Sequence, residues 1–367
     1  MKNMEYVIIF NKGLLRRRRP LFNMFRSFRY NFKRFINYLL IRGQFALRTS
    51  KVIGYSYDIL IDPCNICMLH CPLCPTGRGD TPRVKAILSF DLFKKIIDEI
   101  GDYVYSVNFT NWGEPLLNKH LADMIRYCKE AKHIPFVKFD TNLNVLLTER
   151  DALKLLLSGL DELSVSIDGI TQETYEKYRK GGDLKRVLSN LKLLINTRRR
   201  LGLEKPHILW QFLVFKRNMH EIRDAINFAR KIGVDAIRIA SARAYTGTDV
   251  IKPTKDNYEV SKEYLPEPGS KWSHYTPDLK RIGYKKVCDW LWKRTVINPD
   301  GSVSPCCAYY PQEYDFGNVS HKSIKSIWNS NKYIVARKMA RNSNARFKLQ
   351  EKIPCAICIP LGNFVDV

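Results

Sequence analysis

The stretch Tyr57-Asp-Ile-Leu-Ile-Asp62-Pro-Cys64-Asn-Ile-Cys67-Met-Leu-His-Cys71-Pro-Leu-Cys74 decides the fold. Its first half is a short apolar run with β-branched residues, closed by Pro63, and reads as a strand. Its second half sets thiols on a loop immediately after that strand. Outward from it, runs of the same kind recur at 103–112, 135–142, 162–169, 207–215 and 236–243, separated by segments of helical period. The first helix has its signals in place: Ser89 as N-cap, a stripe of Leu92, Phe93, Ile96, Ile97 and Ile100, then Gly101. Thr148 with Asp151, and then Gly159, bracket another, and Asn218 stands as cap before Ile222, Ala225, Ile226 and Ala229, with Gly233 at the end. Six alternating β/α units imply a parallel sheet, so the expected class is α/β, a partial (β/α)6 TIM-like barrel with its chemistry at the carboxyl ends of the strands.

The rest of the chain divides around that barrel. The expected organisation is a basic amphipathic extension over 1–50, the barrel core over 51–250, a connector over 251–284 rich in proline, and a small Cys-bearing unit over 285–367. In the last, Asp300-Gly301 within Thr295 to Ser304 predicts a hairpin turn. With 45% hydrophobic residues in 367, there is enough apolar surface for packed cores, which excludes disorder for most of the chain.

Charge is unevenly placed. Lysine and arginine number 61 against 36 acids, a net +25, and the first 50 residues hold 12 of those bases against Glu5 alone. Phe22, Phe25, Phe28, Phe32, Phe35 or Ile36, and Leu39 recur at helical spacing, while Arg26, Arg29, Lys33 and Arg34 supply charge after the run Arg16 to Arg19. Such a helix reads as an element for an anionic membrane surface. Two alternatives stay open: the stripe packs on the barrel, or the arginines and aromatics bind RNA. No run approaches the ~18 apolar residues of a membrane span, and the first apolar run, Tyr6 to Phe10, is too short for an export signal, so the expectation is a cytoplasmic protein, peripheral to the membrane through residues 1–50.

Ten cysteines in a reducing compartment are expected to hold metal rather than form disulfides. Cys67, Cys71 and Cys74, at spacings of three and two intervening residues, suit three corners of an iron-sulfur cube whose fourth iron stays open. A zinc ribbon separates its Cys pairs by a dozen or more residues, unlike Cys64/Cys67 and Cys71/Cys74. A closed four-Cys site that uses Cys64 is the remaining alternative. Late in the chain Cys288, Cys306, Cys355 and Cys358 supply four more thiolates, with Cys307 as a spare and a closed zinc site as the structural alternative. Cys128, alone on a helix, reads as a core thiol and His70 as a loop residue.

The Cys67-x3-Cys71-x2-Cys74 triplet resembles the signature of the radical S-adenosylmethionine (SAM) superfamily. Asn111-Trp-Gly113-Glu114-Pro115 is similar to the family motif that receives the SAM amino group, and Asn142, Ser166 and Asp168 stand where members bind the ribose and carboxylate. Arg179 and Arg186, after the fourth strand, are candidates to pair with the SAM carboxylate, the alternative for each being a solvated helix residue, and Leu73 occupies a position where many members carry an aromatic residue near adenine. Cys288 to Cys358, with Pro305-Cys306-Cys307, Gly317-Asn318-Val319 and Ile327-Trp328, resembles the SPASM/twitch extension, in its shorter form with one cluster. The resemblance implies a SAM-binding 4Fe-4S cluster, an auxiliary 4Fe-4S cluster, SAM, and a low-potential electron donor of flavodoxin or ferredoxin type. The implied reaction is reductive cleavage of SAM to a 5'-deoxyadenosyl radical that abstracts hydrogen from a substrate. An auxiliary cluster suits oxidation of a sugar, cyclitol or other small-molecule or glycan substrate, and the want of strand signals in residues 1–50, where peptide maturases often carry a winged helix, favours that reading. A peptide-modifying maturase is the nearest alternative, and a non-catalytic iron-sulfur or RNA-binding protein the alternative from another class.

Overall fold

The computed structural model describes residues 5–11, 31–79, 83–243, 261–277, 288–341 and 352–358. Along the chain run β1 (Tyr6–Ile9), α1 (Phe32–Ala46), β2 (Asp58–Ile61), α2 (Pro75–Arg78), α3 (Phe90–Ile100), β3 (Ser106–Asn108), α4 (Leu121–Glu130) and β4 (Phe136–Thr141). There follow α5 (Glu149–Leu156), β5 (Glu162–Ser166), α6 (Gln172–Tyr178), α7 (Leu184–Arg200), β6 (His207–Val214), α8 (Ile222–Ile232) and β7 (Ala236–Ser241). The C-terminal part holds α9 (Trp290–Lys293), β8 (Arg294–Ile297), β9 (Ser302–Ser304), β10 (Gly317–Asn318), α10 (Ile324–Trp328), α11 (Asn331–Arg341) and α12 (Cys355–Cys358).

Among the described residues the strands form one sheet in the order β1-β7-β6-β5-β4-β3-β2-β8-β9-β10. From β2 to β7 each strand pairs in parallel with the next, which makes the open six-unit barrel. Along β2 the side chains alternate: Ile59 and Ile61 are buried in the main core, while Leu60 packs with Trp290 and Val296. β8 then lies parallel to β2, from Asp58 opposite Arg294 to Ile61 opposite Ile297, and turns at Gly301 (φ +81°) into antiparallel β9. The C-terminal unit therefore continues the barrel's own sheet. That join is invisible in sequence, because it pairs residues more than 230 positions apart.

The helix signals act locally as expected in two cases. Ser89 accepts from the Leu92 N–H, and Thr148 with Asp151 forms a reciprocal capping box. Asn218 departs from its expected role. Its Oδ1 accepts from the Phe215 N–H at 2.7 Å and its Nδ2 donates to the carbonyls of Asp168 and Leu213, so it fastens the ends of β5 and β6 together, and α8 starts only at Ile222.

The amino-terminal region brings two corrections. Residues 1–50 do contain a strand: β1 pairs antiparallel with β7, Tyr6 opposite Ile239 through Ile9 opposite Ala236. Four β-branched and aromatic residues suffice because a preformed edge receives them. The helix of this region is α1, capped by the Asn31 side chain, and the expected stripe between Phe22 and Phe28 lies outside the described residues. Arg34, expected on a charged solvent face, is fully buried, its guanidinium donating to the carbonyls of Gly101, Lys132 and His133. Of the connector, 251–260 and 278–284 lie outside the described residues.

Candidate active site

β2 carries the chain to the carboxyl end of the barrel, and the Cys loop begins three residues later. Cys64 is wholly buried and turned toward backbone: its Sγ lies 3.3 Å from the Ile66 carbonyl and 3.6 Å from that of Glu114. Gly113 presses against the same residue, since a Cβ there would stand 1.7 Å from the Cys64 carbonyl oxygen. Cys67, Cys71 and Cys74 instead act on one another electrostatically, and Arg179 acts on Cys67 and Cys71. Burial pushes the thiols of Cys67 and Cys71 up to about 12, and the nearby guanidinium pulls them back. The loop thus holds protons until metal displaces them.

Two neighbours hold the loop in place. The His70 N–H donates to the Lys180 carbonyl at 2.9 Å, in the turn after α6. Gly77 in α2 is required by contact, because a Cβ would come within 2.5 Å of the Cys71 backbone nitrogen. Gly77 escaped the sequence reading, although a glycine three residues past Cys74 was its visible signal.

The strand ends supply the remaining groups. Glu114 is buried, and its Oε1 accepts from the Leu116 N–H at 3.1 Å and the Thr141 hydroxyl at 2.6 Å, while Oε2 accepts from the Asn142 N–H at 2.8 Å. Burial raises its pKa and these donors lower it. Glu114 therefore caps the turn at Pro115 and ties the end of β3 to the end of β4. Asn142 sends its Nδ2 toward Cys67 Sγ at 3.4 Å and Met68 Sδ at 3.5 Å. Asp168 accepts from Arg179 Nε at 2.6 Å and from the Leu213 N–H at 2.7 Å. Burial works against the Arg179 charge, yet Asp168 and Cys71 more than offset it and hold its pKa well above the usual arginine value. Ser166 ends β5 opposite Gln211 of β6. The structure thus brings Cys67, Cys71, Gly113, Glu114, Pro115, Asn142, Asp168 and Arg179 together. Arg186 stands apart, half-exposed, 3.7 Å from Asp183, and Leu73 packs with Phe215, Ala242 and Leu265.

The second thiol set is gathered from separate segments. Cys288, Cys306 and Cys307 pack beside Trp290 and Val296, while Cys355 is buried in the main core with Tyr333, whose titration both Cys355 and Cys306 influence. The Tyr309 hydroxyl donates to the Pro354 carbonyl at 3.0 Å and draws the two stretches together. Behind them Arg337 of α11 is buried, donating to the carbonyls of Leu291 and Ser50 and lying 4.5 Å over the Trp328 ring. Burial pushes Cys307 up to about 11. Cys358 closes α12, and its side chain lies outside the described residues.

At the end of β2, Asp62 has no exposure; its Oδ2 accepts from the Trp112 N–H at 3.1 Å, and the backbone N–H groups of Cys64 and Gly113 also favour its ionised form, while the Trp112 indole Nε1 is buried without a hydrogen-bond partner. Trp112 meets Tyr310 of the C-terminal unit edge-on at 5.0 Å. Arg83, also buried, clamps the two units: it donates to the Tyr310 carbonyl, the Ser302 hydroxyl and Asp315, each at 2.8 Å. Neither Asp62, Trp112 nor Arg83 carries a sequence signal for these roles, since each depends on β8 docking against β2.

Comparison with known proteins gives the chain's relatives. The Radical SAM superfamily model matches residues 61–229, and the iron-sulfur cluster-binding SPASM domain model matches 288–359. The antilisterial bacteriocin subtilosin biosynthesis protein AlbA of Bacillus subtilis is 26% identical over 276 residues, 73% of this chain and 57% of that protein's own length. A PqqA peptide cyclase of Bradyrhizobium diazoefficiens is 26% identical over 298 residues, 76% of this chain and 74% of the cyclase. Among solved structures, Streptococcus suis SuiB bound to precursor peptide SuiA superposes with a TM-score of 0.59 at 15% identity, covering 88% of this chain and 73% of that one, a likeness of fold. No helix among the described residues is long and apolar enough to cross a membrane.

Proposed function

We propose that this chain, a radical SAM enzyme with a C-terminal SPASM domain, modifies a peptide by taking a hydrogen atom from it. The observation that carries the reading is that two of the relatives, aligned over 276 and 298 residues, have names that speak of a bacteriocin and of a peptide. The sugar or cyclitol oxidation expected from sequence rested on the single auxiliary cluster and the want of winged-helix signals in residues 1–50, and those relatives favour the peptide alternative instead.

The residues divide the work. Cys67, Cys71 and Cys74 would hold the SAM-binding cluster, and Cys288, Cys306, Cys355 and Cys358 a single auxiliary one. When bound, cluster and SAM supply the 5'-deoxyadenosyl radical, with the electron drawn from a flavodoxin- or ferredoxin-type donor. Asn142 and Arg179 set the charge and hydrogen bonding around the thiolates, Asp168 orients Arg179, and Glu114 would meet the SAM ammonium.

The test is anaerobic reconstitution with iron and sulfide, followed by SAM and dithionite, with 5'-deoxyadenosine measured alone and with pools of peptides or of sugars and cyclitols. Peptides should raise turnover and gain a mass change. Stimulation by sugars alone would replace this substrate reading, and absence of 5'-deoxyadenosine in every arm would remove the catalytic one.

A further inference from the structure

Helix α1 is mounted with its polar side inward. At about 100° per residue, Arg34, Asn37 and Ile41 share one face, and all three are buried. Arg34 is held by three backbone carbonyls, and Asn37 donates to the Tyr55 and Tyr103 carbonyls while accepting from the Tyr55 N–H at 2.7 Å. These bonds fix the rotation of the helix. The opposite face carries Phe32, Ile36, Leu39 and Leu40, which are 37% to 61% exposed, and Leu47 and Ile53 next to it are 70% or more exposed. Six of the eleven large apolar side chains that stand exposed among the described residues are thus concentrated on this one element and its exit. Lys33 and Arg42, both exposed, flank the stripe on its two sides.

We infer that this face of α1 seats the enzyme on an anionic lipid bilayer, its apolar row lying in the interface and its bases against the headgroups. Exposed leucines and isoleucines in a row have no reason to remain in water, and the surface that covers them must supply apolar depth with negative charge around it. Charge decides the occupant: Lys33 and Arg42 border the apolar row, and the chain as a whole carries +25, which repels a second copy and attracts anionic headgroups. Position supports it too. Arg34 bonds Gly101, Lys132 and His133, which precede β3 and β4 and so mark the amino ends of the strands, whereas the Cys loop opens at their carboxyl ends. A bilayer on α1 leaves the active site facing away from the membrane.

The experiment is cosedimentation of the reconstituted full chain with phosphatidylcholine vesicles, without and with 30% phosphatidylglycerol, at low salt and at 1 M, where the Debye length shrinks to ~3 Å. The expected result is binding to anionic vesicles at low salt, loss of at least tenfold in affinity at high salt, and little binding to neutral vesicles. A variant with Phe32→Gln, Ile36→Gln, Leu39→Gln and Leu40→Gln should lose at least tenfold while keeping its melting temperature. Binding unchanged in that variant would overturn the inference, as would a melting temperature lowered by several degrees, since the face would then be packed against protein. A wild-type dimer that the variant turns into a monomer would assign the face to a second copy, and retention by RNA but not by vesicles would assign the region to nucleic acid. Because vesicle binding is read without SAM or substrate, it stands or falls apart from the proposed reaction.

Discussion

The two thiol sets differ in how they are built. Cys67, Cys71 and Cys74 lie on one loop, and that loop is positioned by its own turn residues, by the His70 contact with the α6 turn and by Gly77. Cys288, Cys306 and Cys355 come from three segments, joined by a β8 to β2 pairing, a Tyr309 to Pro354 bond and the buried Arg337. A locally specified site tolerates damage elsewhere in the chain, and a site assembled by tertiary contacts does not.

The sharpest break in that comparison is chemical. Cys67→Ala, Cys71→Ala and Cys74→Ala should each lower reductive formation of 5'-deoxyadenosine by about a thousandfold or more, whereas Cys64→Ala should leave most of it, because the Cys64 thiol faces the Ile66 and Glu114 carbonyls. Loss of the cluster in Cys64→Ala, followed by visible absorption and iron content, would move Cys64 into the ligand set. Next in size, Cys355→Ala should lower bound iron from about eight per chain to about four, while SAM cleavage persists and product from the substrate disappears. Metal analysis decides this, and zinc at the second site would remove its redox role.

The same contrast explains what was legible beforehand. All six barrel strands were readable because each is a continuous apolar run bounded by its own turn, and the Cys triplet because its chemistry lies within eight residues. β1 was not, since four residues make a strand only when the β7 edge receives them. Asn218 was misread because its side chain bonds backward to strand ends as readily as forward to a helix. Asp62, Trp112 and Arg83 had no local pattern at all. Their meaning comes from the C-terminal hairpin unit lying over them.

A smaller effect separates packing from ligation. Arg179→Gln leaves Asp168 buried without its cation, and breaking a buried pair typically costs about 3–5 kcal/mol. The variant should unfold at lower denaturant than wild type and also bind SAM more weakly, while Asp168→Asn/Arg179→Gln should recover part of the stability and none of the activity. If the double variant regained cleavage, the pair would be structural only.

The least effect expected is one of pH, and it probes the buried carboxyl at the end of β2. Burial pushes the Asp62 carboxyl up to about 7, against the backbone N–H groups that favour its ionised form. In the unfolded chain the group titrates near its ordinary value of about 4. Between these values the folded protein holds a proton that the unfolded chain has released, so stability falls as pH rises through that window and levels off above about 7. From pH 5 to pH 7 the loss should be on the order of 2 kcal/mol, read from urea midpoints of the anaerobic holoenzyme. Asp62→Asn keeps the shape of the site without a titrating group, so its curve should run flatter than wild type by that amount. Parallel pH curves for the two proteins would show that Asp62 does not titrate between pH 5 and pH 7 and that the backbone donors outweigh its burial.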